Sequence, residues 1–359
     1  MGVLTTTRVT WQPQTTGDTA SPSYWLNWRV LLCVVWVLFS MLFASFLISR
    51  YEGSKNPRPN ANNNGGTQSG GGLASKKEGN PGILYQDEVW RPCLKGIHPA
   101  WLLAFRVCAF LVLLILLIIN AIVDGASIFY YYTQWTFTLV TTYFGLGSLL
   151  SVYGCYDYHK KVSGDRVGNL EIDEERGVYP SFNNGGTPNA SKASLSSHQM
   201  LEHPRPLAGF WSYVFQIIFQ MNAGAVMLTD CVFWFIIVPF LASKNYDLNF
   251  FIINMHTINL VFLLGDTALN CLRFPWFRIA YFILWTSFYV VFQWVLHACI
   301  SIWWPYPFLD LSSSFAPLWY SSVAAMHIPC YGIFFLIIKL KHMLLSKYFH
   351  QTYLCSTSR

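Results

Sequence analysis

Seven apolar stretches, each about as long as a bilayer crossing, dominate this sequence of 359 residues. A helix of about 20 residues spans the roughly 30 Å hydrocarbon core of a membrane, because each residue adds about 1.5 Å of rise. Charged residues make up only 11% of the chain, whereas they make up about a quarter of a soluble domain. We therefore predict an all-α fold, a polytopic transmembrane helix bundle of about seven spans, with the lipid bilayer as its main partner.

Two long polar segments divide the chain, and their Gly, Asn, Ser and charge content is typical of disordered linkers. The predicted organisation is an N-terminal tail at 1–29, a first span at 30–49, a polar linker at 50–99, spans two and three at 100–155, a disordered polar loop at 156–207, spans four to seven at 208–345 and a C-terminal tail at 346–359. The apolar region at 209–242 is too long for one upright crossing and too short for two; we count it as one.

The positive charges predict the orientation, because loops rich in Lys and Arg stay in the cytosol. Basic residues gather in alternate loops and at the C-terminal end: Arg50, Lys55, Arg58, Lys76, Lys77, Arg91, Lys95, Lys160, Lys161, Arg273, Arg278, Lys339, Lys341 and Lys347. Seven spans with the N-terminus outside and the C-terminus in the cytosol satisfy this pattern. The sequence leaves open whether the membrane is the plasma membrane or the endoplasmic reticulum.

Composition also argues against several kinds of partner. The net charge of +6 is spread over loops without a basic stripe, so we expect no nucleic-acid partner. The nine cysteines show no CxxC or Cys/His ligand spacing, so we expect neither structural zinc nor a disulfide scaffold. We expect no metal and no cofactor, and nothing in the sequence identifies a protein partner.

Two polar residues inside apolar spans need an explanation, because hydrocarbon disfavours polar groups. Thr133 lies nine residues after Asp124, and His256 lies nine residues after Asp247, in two spans that both enter from the outer side. At about 1.5 Å of rise per residue, both side chains are expected roughly 13 Å from the same face. A hydroxyl beside an imidazole is the minimum for a nucleophile with a general base. The structural alternative is a threonine bonded to its own helix and a histidine that joins two helices.

Other polar side chains can support this pair or stand apart from it. Asn259 follows His256 by three residues on the same helix face and can orient the ring. Asp230 is expected near the same depth on span four, either as a functional carboxylate or as a buried hydrogen-bonded carboxyl. We expect His297 to lie at the interface and His327 to serve in packing.

Two charged residues are expected near the inner boundary. Asp266 is ten residues beyond His256, too far to touch it, and we expect it to pair with Arg273 or Arg278. Arg106 lies near the start of span two and is expected to extend its charged end to the interface.

Three short motifs, in this order along the chain, resemble those of the androgen-induced-gene family of membrane hydrolases, and most of all its rolling-stone-type relatives. The motifs are Tyr132-Thr133-Gln134-Trp135-Thr136, Asn254-Met255-His256-Thr257 and Trp304-Pro305-Tyr306-Pro307-Phe308-Leu309. The resemblance covers about 100–345, six of the seven spans. The androgen-induced branch hydrolyses fatty acid esters of hydroxy fatty acids through an intramembrane threonine and histidine.

On this resemblance the catalytic threonine corresponds to Thr133, because Tyr132-Thr133 opens a segment that runs to Tyr143-Phe144-Gly145. A slip of one helical turn would move it to Thr136. The histidine corresponds to His256 within Met-His-Thr. The chain departs from that branch in its linker insertions, its first span and Asp230.

Rolling-stone-type relatives are associated with membrane and cell-fusion roles. A lipid ester hydrolase and a non-catalytic membrane scaffold or adhesion component therefore both remain hypotheses. A small-molecule transporter is a weaker one, because transporters commonly show internal repeats and we find no clear repeat in this chain.

Overall fold

The computed structural model describes residues 19–52, 84–175, 207–239 and 250–355. Within these ranges the chain is helical, with a few isolated bridges and no strand. Seven helical segments are long and apolar enough to cross a membrane: Trp28–Tyr51, Pro99–Tyr130, Tyr132–Ser163, Phe210–Ile237, Ile252–Leu269, Trp276–Cys299 and Ala316–Tyr348. The predicted all-α bundle of seven spans is confirmed, and the protein is a multi-pass integral membrane protein. We number these segments span one to span seven.

Local sequence signals explain where the helices begin and end. Span one starts after Asn27, whose side chain accepts a hydrogen bond from a backbone N–H of the first turn. Span two starts at Pro99, a residue suited to the first turn because it has no N–H to leave unpaired. Its α-helix ends at Asp124 and is followed by Gly125, whose φ of 73° favours glycine.

Three spans are less regular than the sequence predicts. The helix of span three, Tyr132–Glu175, continues beyond the predicted end at 155 into the predicted loop. The apolar region at 209–242 forms a single crossing in its described part, and this crossing ends in a π-helix at Phe233–Ile237. Span five is broken at His256 and Thr257, between helices Phe250–Met255 and Ile258–Leu269.

Contacts between helix ends agree with seven alternating spans. The distribution of positive charges predicts which end of the bundle is the outer one. At that end, the hydroxyl of Tyr24, which precedes span one, donates to Asp310 between spans six and seven at 2.9 Å. At the inner end, Cys93 before span two donates its N–H to Leu269 O at the end of span five, and its carbonyl accepts from Leu354 after span seven. Part of the predicted C-terminal tail is therefore folded against the bundle.

A fully buried ion pair joins spans two and five. Arg106 Nε lies 2.7 Å from Asp266 Oδ1, and neither side chain is exposed. Tyr143 and Asn270 also donate to Asp266, and Arg106 also donates to Ser151. The prediction that Arg106 reaches the interface is wrong, because a buried carboxylate holds it inside the bundle.

The predicted partners of Asp266 are also wrong. Arg273 donates to Glu88 at 3.0 Å, and Arg278 donates to Glu52 at 2.5 Å. Glu52 follows span one and Glu88 precedes span two, so both carboxylates lie at the end of the bundle where the two arginines are found. Asp266 lies inside span five, farther from these arginines.

Candidate functional site

Thr133 and His256 line the same cavity. This cavity has a volume of about 60 Å³ and lies between spans three to seven, and residues of the loop that precedes span seven form part of its wall. Most of its wall is apolar, and its other polar side chains include Thr286, Tyr289 and Tyr306. The two residues therefore share one sheltered space, although they come from separate spans.

Thr133 lies at a different position in its helix from the one predicted. Residues Gly125–Tyr130 form a 3-10 helix that continues span two, so span three begins only at Tyr132. Thr133 thus lies in the first turn of span three. The predicted depth of roughly 13 Å is wrong for this residue, because it assumed that the nine residues after Asp124 belong to one continuous helix. Its hydroxyl oxygen lies 3.3 Å from the Tyr306 hydroxyl. Burial raises the pKa of Tyr306, so this hydroxyl stays neutral and can donate.

His256 lies at the break in span five. Its ring stacks on Phe233, with centroids 3.7 Å apart and an interplanar angle of 3°. The backbone carbonyl of His256, freed by the break, accepts a hydrogen bond from Trp234 Nε1 at 3.2 Å. Phe233 and Trp234 belong to the π-helix of span four. Two irregular helical segments therefore meet at this histidine, and such segments are frequent at functional sites.

Asp230 is the nearest charged partner of His256. Its Oδ1 lies 3.7 Å from His256 Nδ1, and both side chains are buried. Among the described residues, neither the carboxylate of Asp230 nor Nδ1 has a hydrogen-bond partner within normal distance. A carboxylate on the Nδ1 side holds an imidazole in one orientation and stabilises its protonated form, which leaves Nε2 as the basic atom.

Two other sequence candidates lie elsewhere. Asn259 donates to the Met255 carbonyl at 3.1 Å, and no hydrogen bond between Asn259 and the His256 ring is found in the described residues. The helix break disrupts the register that would put the two side chains on one face. Thr136 is fully buried and is not among the residues that line the cavity.

A second hydroxyl–imidazole pair was missed by sequence reasoning. Thr286 Oγ1 lies 2.9 Å from His327 Nε2 and 2.9 Å from the Tyr132 hydroxyl, and Thr286 also lines the cavity. His327 Nδ1 lies 2.9 Å from the Val323 carbonyl, so Nδ1 donates and Nε2 accepts. The sequence feature that pointed to this pair is the histidine inside span seven, which we expected to serve in packing.

His297 does not lie at the interface, as predicted, but is fully buried. Its ring stacks on Trp304 at a centroid distance of 3.7 Å, and its Nδ1 lies 2.7 Å from the Gln293 carbonyl. The loop before span seven covers it, which the helical pattern of span six could not indicate.

No protein-family model, curated protein or solved structure matches this chain. The resemblance to the androgen-induced-gene family stays a prediction, and the interpretation of the site depends on its geometry.

Proposed function

We propose that this membrane protein hydrolyses lipid esters inside the bilayer, with Thr133 as nucleophile, His256 as general base and Asp230 as the carboxylate that orients the imidazole. One observation carries the proposal: Thr133 and His256, from different spans, line one small apolar cavity, and Asp230 lies 3.7 Å from the Nδ1 atom of His256. A hydroxyl, an imidazole and a carboxylate in this order are the parts of an acyl-transfer site.

The reaction has two steps. The Thr133 oxygen attacks the ester carbonyl carbon while His256 takes the hydroxyl proton. The bond to the leaving alcohol then breaks, and the alcohol oxygen receives that proton. Water next attacks the acyl-threonine, again losing a proton to His256, and the release of the fatty acid restores the Thr133 hydroxyl. The neutral Tyr306 hydroxyl, 3.3 Å from the Thr133 oxygen, is placed to donate to the negative oxygen that develops on the substrate.

The size and the apolar wall of the cavity restrict which part of a substrate can enter it. Its volume of about 60 Å³ accommodates an ester group but not a fatty acyl chain. Acyl chains must therefore extend between the spans toward lipid, where the substrate is already dissolved. This favours a lipid ester, such as a fatty acid ester of a hydroxy fatty acid, over a water-soluble one.

Thr286 with His327 is the rival pair in the same cavity. The hydroxyl–imidazole distance of 2.9 Å in this pair suits proton transfer. However, the Nδ1 atom of His327 faces a neutral backbone carbonyl, and within the described parts of the chain no carboxylate pairs with the His327 ring. We therefore assign the base to His256, which has Asp230 beside it.

Variants of the full chain, purified in lipid nanodiscs, test this assignment. The assay measures hydrolysis of a fatty acid ester of a hydroxy fatty acid and labelling by a fluorophosphonate probe. We expect Thr133→Ala and His256→Ala each to lower turnover by at least about 10³-fold, and Asp230→Asn to retain residual activity. Thr142→Ala, an exposed position on the same helix whose hydroxyl bonds its own backbone, is the matched control and keeps full activity.

The outcomes separate the hypotheses. Loss of labelling in Thr286→Ala with retention in Thr133→Ala would assign the nucleophile to the rival pair and refute ours. If wild-type protein neither turns over the ester nor reacts with the probe, while Thr133→Ala only lowers its melting temperature, the site belongs to a non-catalytic scaffold.

A further inference from the structure

Three cysteines that are far apart in the sequence meet at the inner end of the bundle. Cys93 precedes span two, Cys271 follows span five and Cys355 follows span seven, and their sulfur atoms all lie within 4.8 Å of one another. Cys93 and Cys271 are buried, and Cys355 is partly buried. The sequence predicts no disulfide scaffold, and the described residues contain one disulfide, which joins Cys271 to Cys355 with Cα atoms 5.9 Å apart.

Backbone pairing holds the three segments together independently of the sulfur atoms. Isolated bridges join Pro92 to Asn270 and Leu94 to Tyr353, and Lys95 donates its N–H to Thr352 O at 2.8 Å. Backbone hydrogen bonds therefore hold the three cysteine-bearing segments together in addition to the disulfide.

The surrounding charge suits a group of thiolates. Lys341 Nζ donates to Asn270 O at 2.7 Å, and the Cys93 thiol donates to the same carbonyl. This ammonium group brings a positive charge next to the cluster inside a largely buried environment. Three thiolates around a divalent cation carry a net charge of −1, which one lysine offsets.

The side of the membrane decides the oxidation state. Basic residues concentrate at this end of the bundle, including Arg91, Lys95, Arg273 and Lys347, which indicates the cytosolic side. Glutathione and thioredoxin keep cytosolic thiols reduced, so a structural disulfide is unusual there. Reduction of the Cys271–Cys355 bond by such a thiol reductant takes two electrons and two protons, and the reductant is oxidised to its own disulfide.

We propose that Cys93, Cys271 and Cys355 bind one Zn²⁺ ion as thiolates and tie the C-terminal segment to the cytosolic end of the bundle. Zinc is bound by sulfur at about 2.3 Å in a tetrahedron, which separates the sulfurs by about 3.8 Å. Once the Cys271–Cys355 bond is reduced, these two sulfurs must move apart to this spacing, whereas the Cys93 sulfur already lies within 4.8 Å of both. Binding releases the thiol protons to water and stabilises the folded segment.

We infer that His342 supplies the fourth ligand after a shift toward the cysteines, because its ring lies outside the group of three sulfurs that are within 4.8 Å of one another. Its ring lines a pocket of about 600 Å³ together with Cys271 and Cys355. His342 Nδ1 bonds the Tyr353 hydroxyl, which leaves Nε2 for a metal. An outer partner on the other ring nitrogen is the usual arrangement for a histidine that binds zinc.

The test measures zinc in full-length protein purified with a non-thiol reductant and without chelator. We expect about one zinc per chain by mass spectrometry of the metal, and loss of it in Cys93→Ser, Cys271→Ser and Cys355→Ser. Cys108→Ser, at an exposed free cysteine, is the matched control and keeps the ion. We expect His342→Gln to weaken zinc binding by at least about 10-fold, the smallest loss typical for the removal of an outer partner of a zinc ligand, and unchanged affinity would remove His342 from the ligand set.

Wild-type protein supplies a measurement that does not depend on the folding of variants. Replacement of zinc by Co²⁺ should produce the absorption bands of a tetrahedral thiolate site, and chelation should make Cys355 reactive toward maleimide. Zinc-free wild-type protein would overturn the proposal, as would a Cys271–Cys355 disulfide in chains alkylated inside intact cells before lysis.

Discussion

Replacing Arg106 with methionine removes one half of the ion pair that joins spans two and five. The guanidinium lies 2.7 Å from Asp266 Oδ1, with both side chains fully buried. Removal of one partner from a buried pair leaves an uncompensated charge and costs about 3–5 kcal/mol. The structure indicates which of the two single variants, at Arg106 or at Asp266, loses more free energy of unfolding.

The charge that remains in each single variant keeps different hydrogen-bond partners and differs in whether it can be neutralised. In Arg106→Met, Asp266 keeps the Tyr143 hydroxyl and the Asn270 amide as donors, and a carboxyl group can take up a proton. In Asp266→Leu, Arg106 keeps Ser151 Oγ and a backbone carbonyl, but a guanidinium cannot lose its proton. We therefore expect Arg106→Met to lower the free energy of unfolding by about 3 kcal/mol and Asp266→Leu by about 5 kcal/mol.

The double variant measures whether the two residues act as a pair. If their effects were independent, the double variant would lose about 8 kcal/mol, the sum of the two values taken from the buried-pair range. Because neither charge is then orphaned, we expect a loss of only about 2–5 kcal/mol, most of it from the donors of Tyr143 and Asn270 that lose their acceptor.

Unfolding by increasing mole fractions of SDS in mixed micelles, followed by tryptophan fluorescence, supplies these free energies. Arg91→Met is the matched control, because Arg91 pairs with Asp87 at a partly exposed site and should change stability by less than about 1 kcal/mol. Additive losses in the double variant would refute the reasoning. A larger loss in Arg106→Met than in Asp266→Leu would refute the asymmetry.

Two further predictions concern packing and the broken helix. A Cβ at Gly224 would lie 2.3 Å from Phe282 Cδ1, so Gly224→Ala must displace a buried ring and should cost about 1–3 kcal/mol, whereas Gly332→Ala, with nothing within 4 Å of the new Cβ, should be neutral in thermal denaturation. Equal melting temperatures for the two would contradict this packing. Trp234→Phe removes the N–H that binds the His256 carbonyl and should cost about 1 kcal/mol, with faster amide exchange around residue 256. Unchanged exchange there would show that this hydrogen bond does not hold the break in place.

Hydrophobicity and charge along the chain determined the bundle. Seven runs of apolar residues can satisfy their backbone groups in lipid only as helices, and the seven segments from Trp28–Tyr51 to Ala316–Tyr348 are found as expected. These properties are local, because a span depends on its own length and composition and not on its neighbours. The spacing argument for the depth of Thr133 is wrong by contrast, because the helix of span three begins only at Tyr132.

The partners of individual side chains came only from the tertiary structure. Asp266 lies 160 residues from Arg106, and no pattern along either span distinguishes that arginine from Arg273 or Arg278. The approach of Asp230 to His256 depends on a π-helix and a broken helix that change the register of both spans. Likewise, Cys93, Cys271 and Cys355 have no motif spacing, because three separate chain segments bring them together. Helix periodicity predicts which residues share a face, whereas contacts between faces depend on how the spans pack.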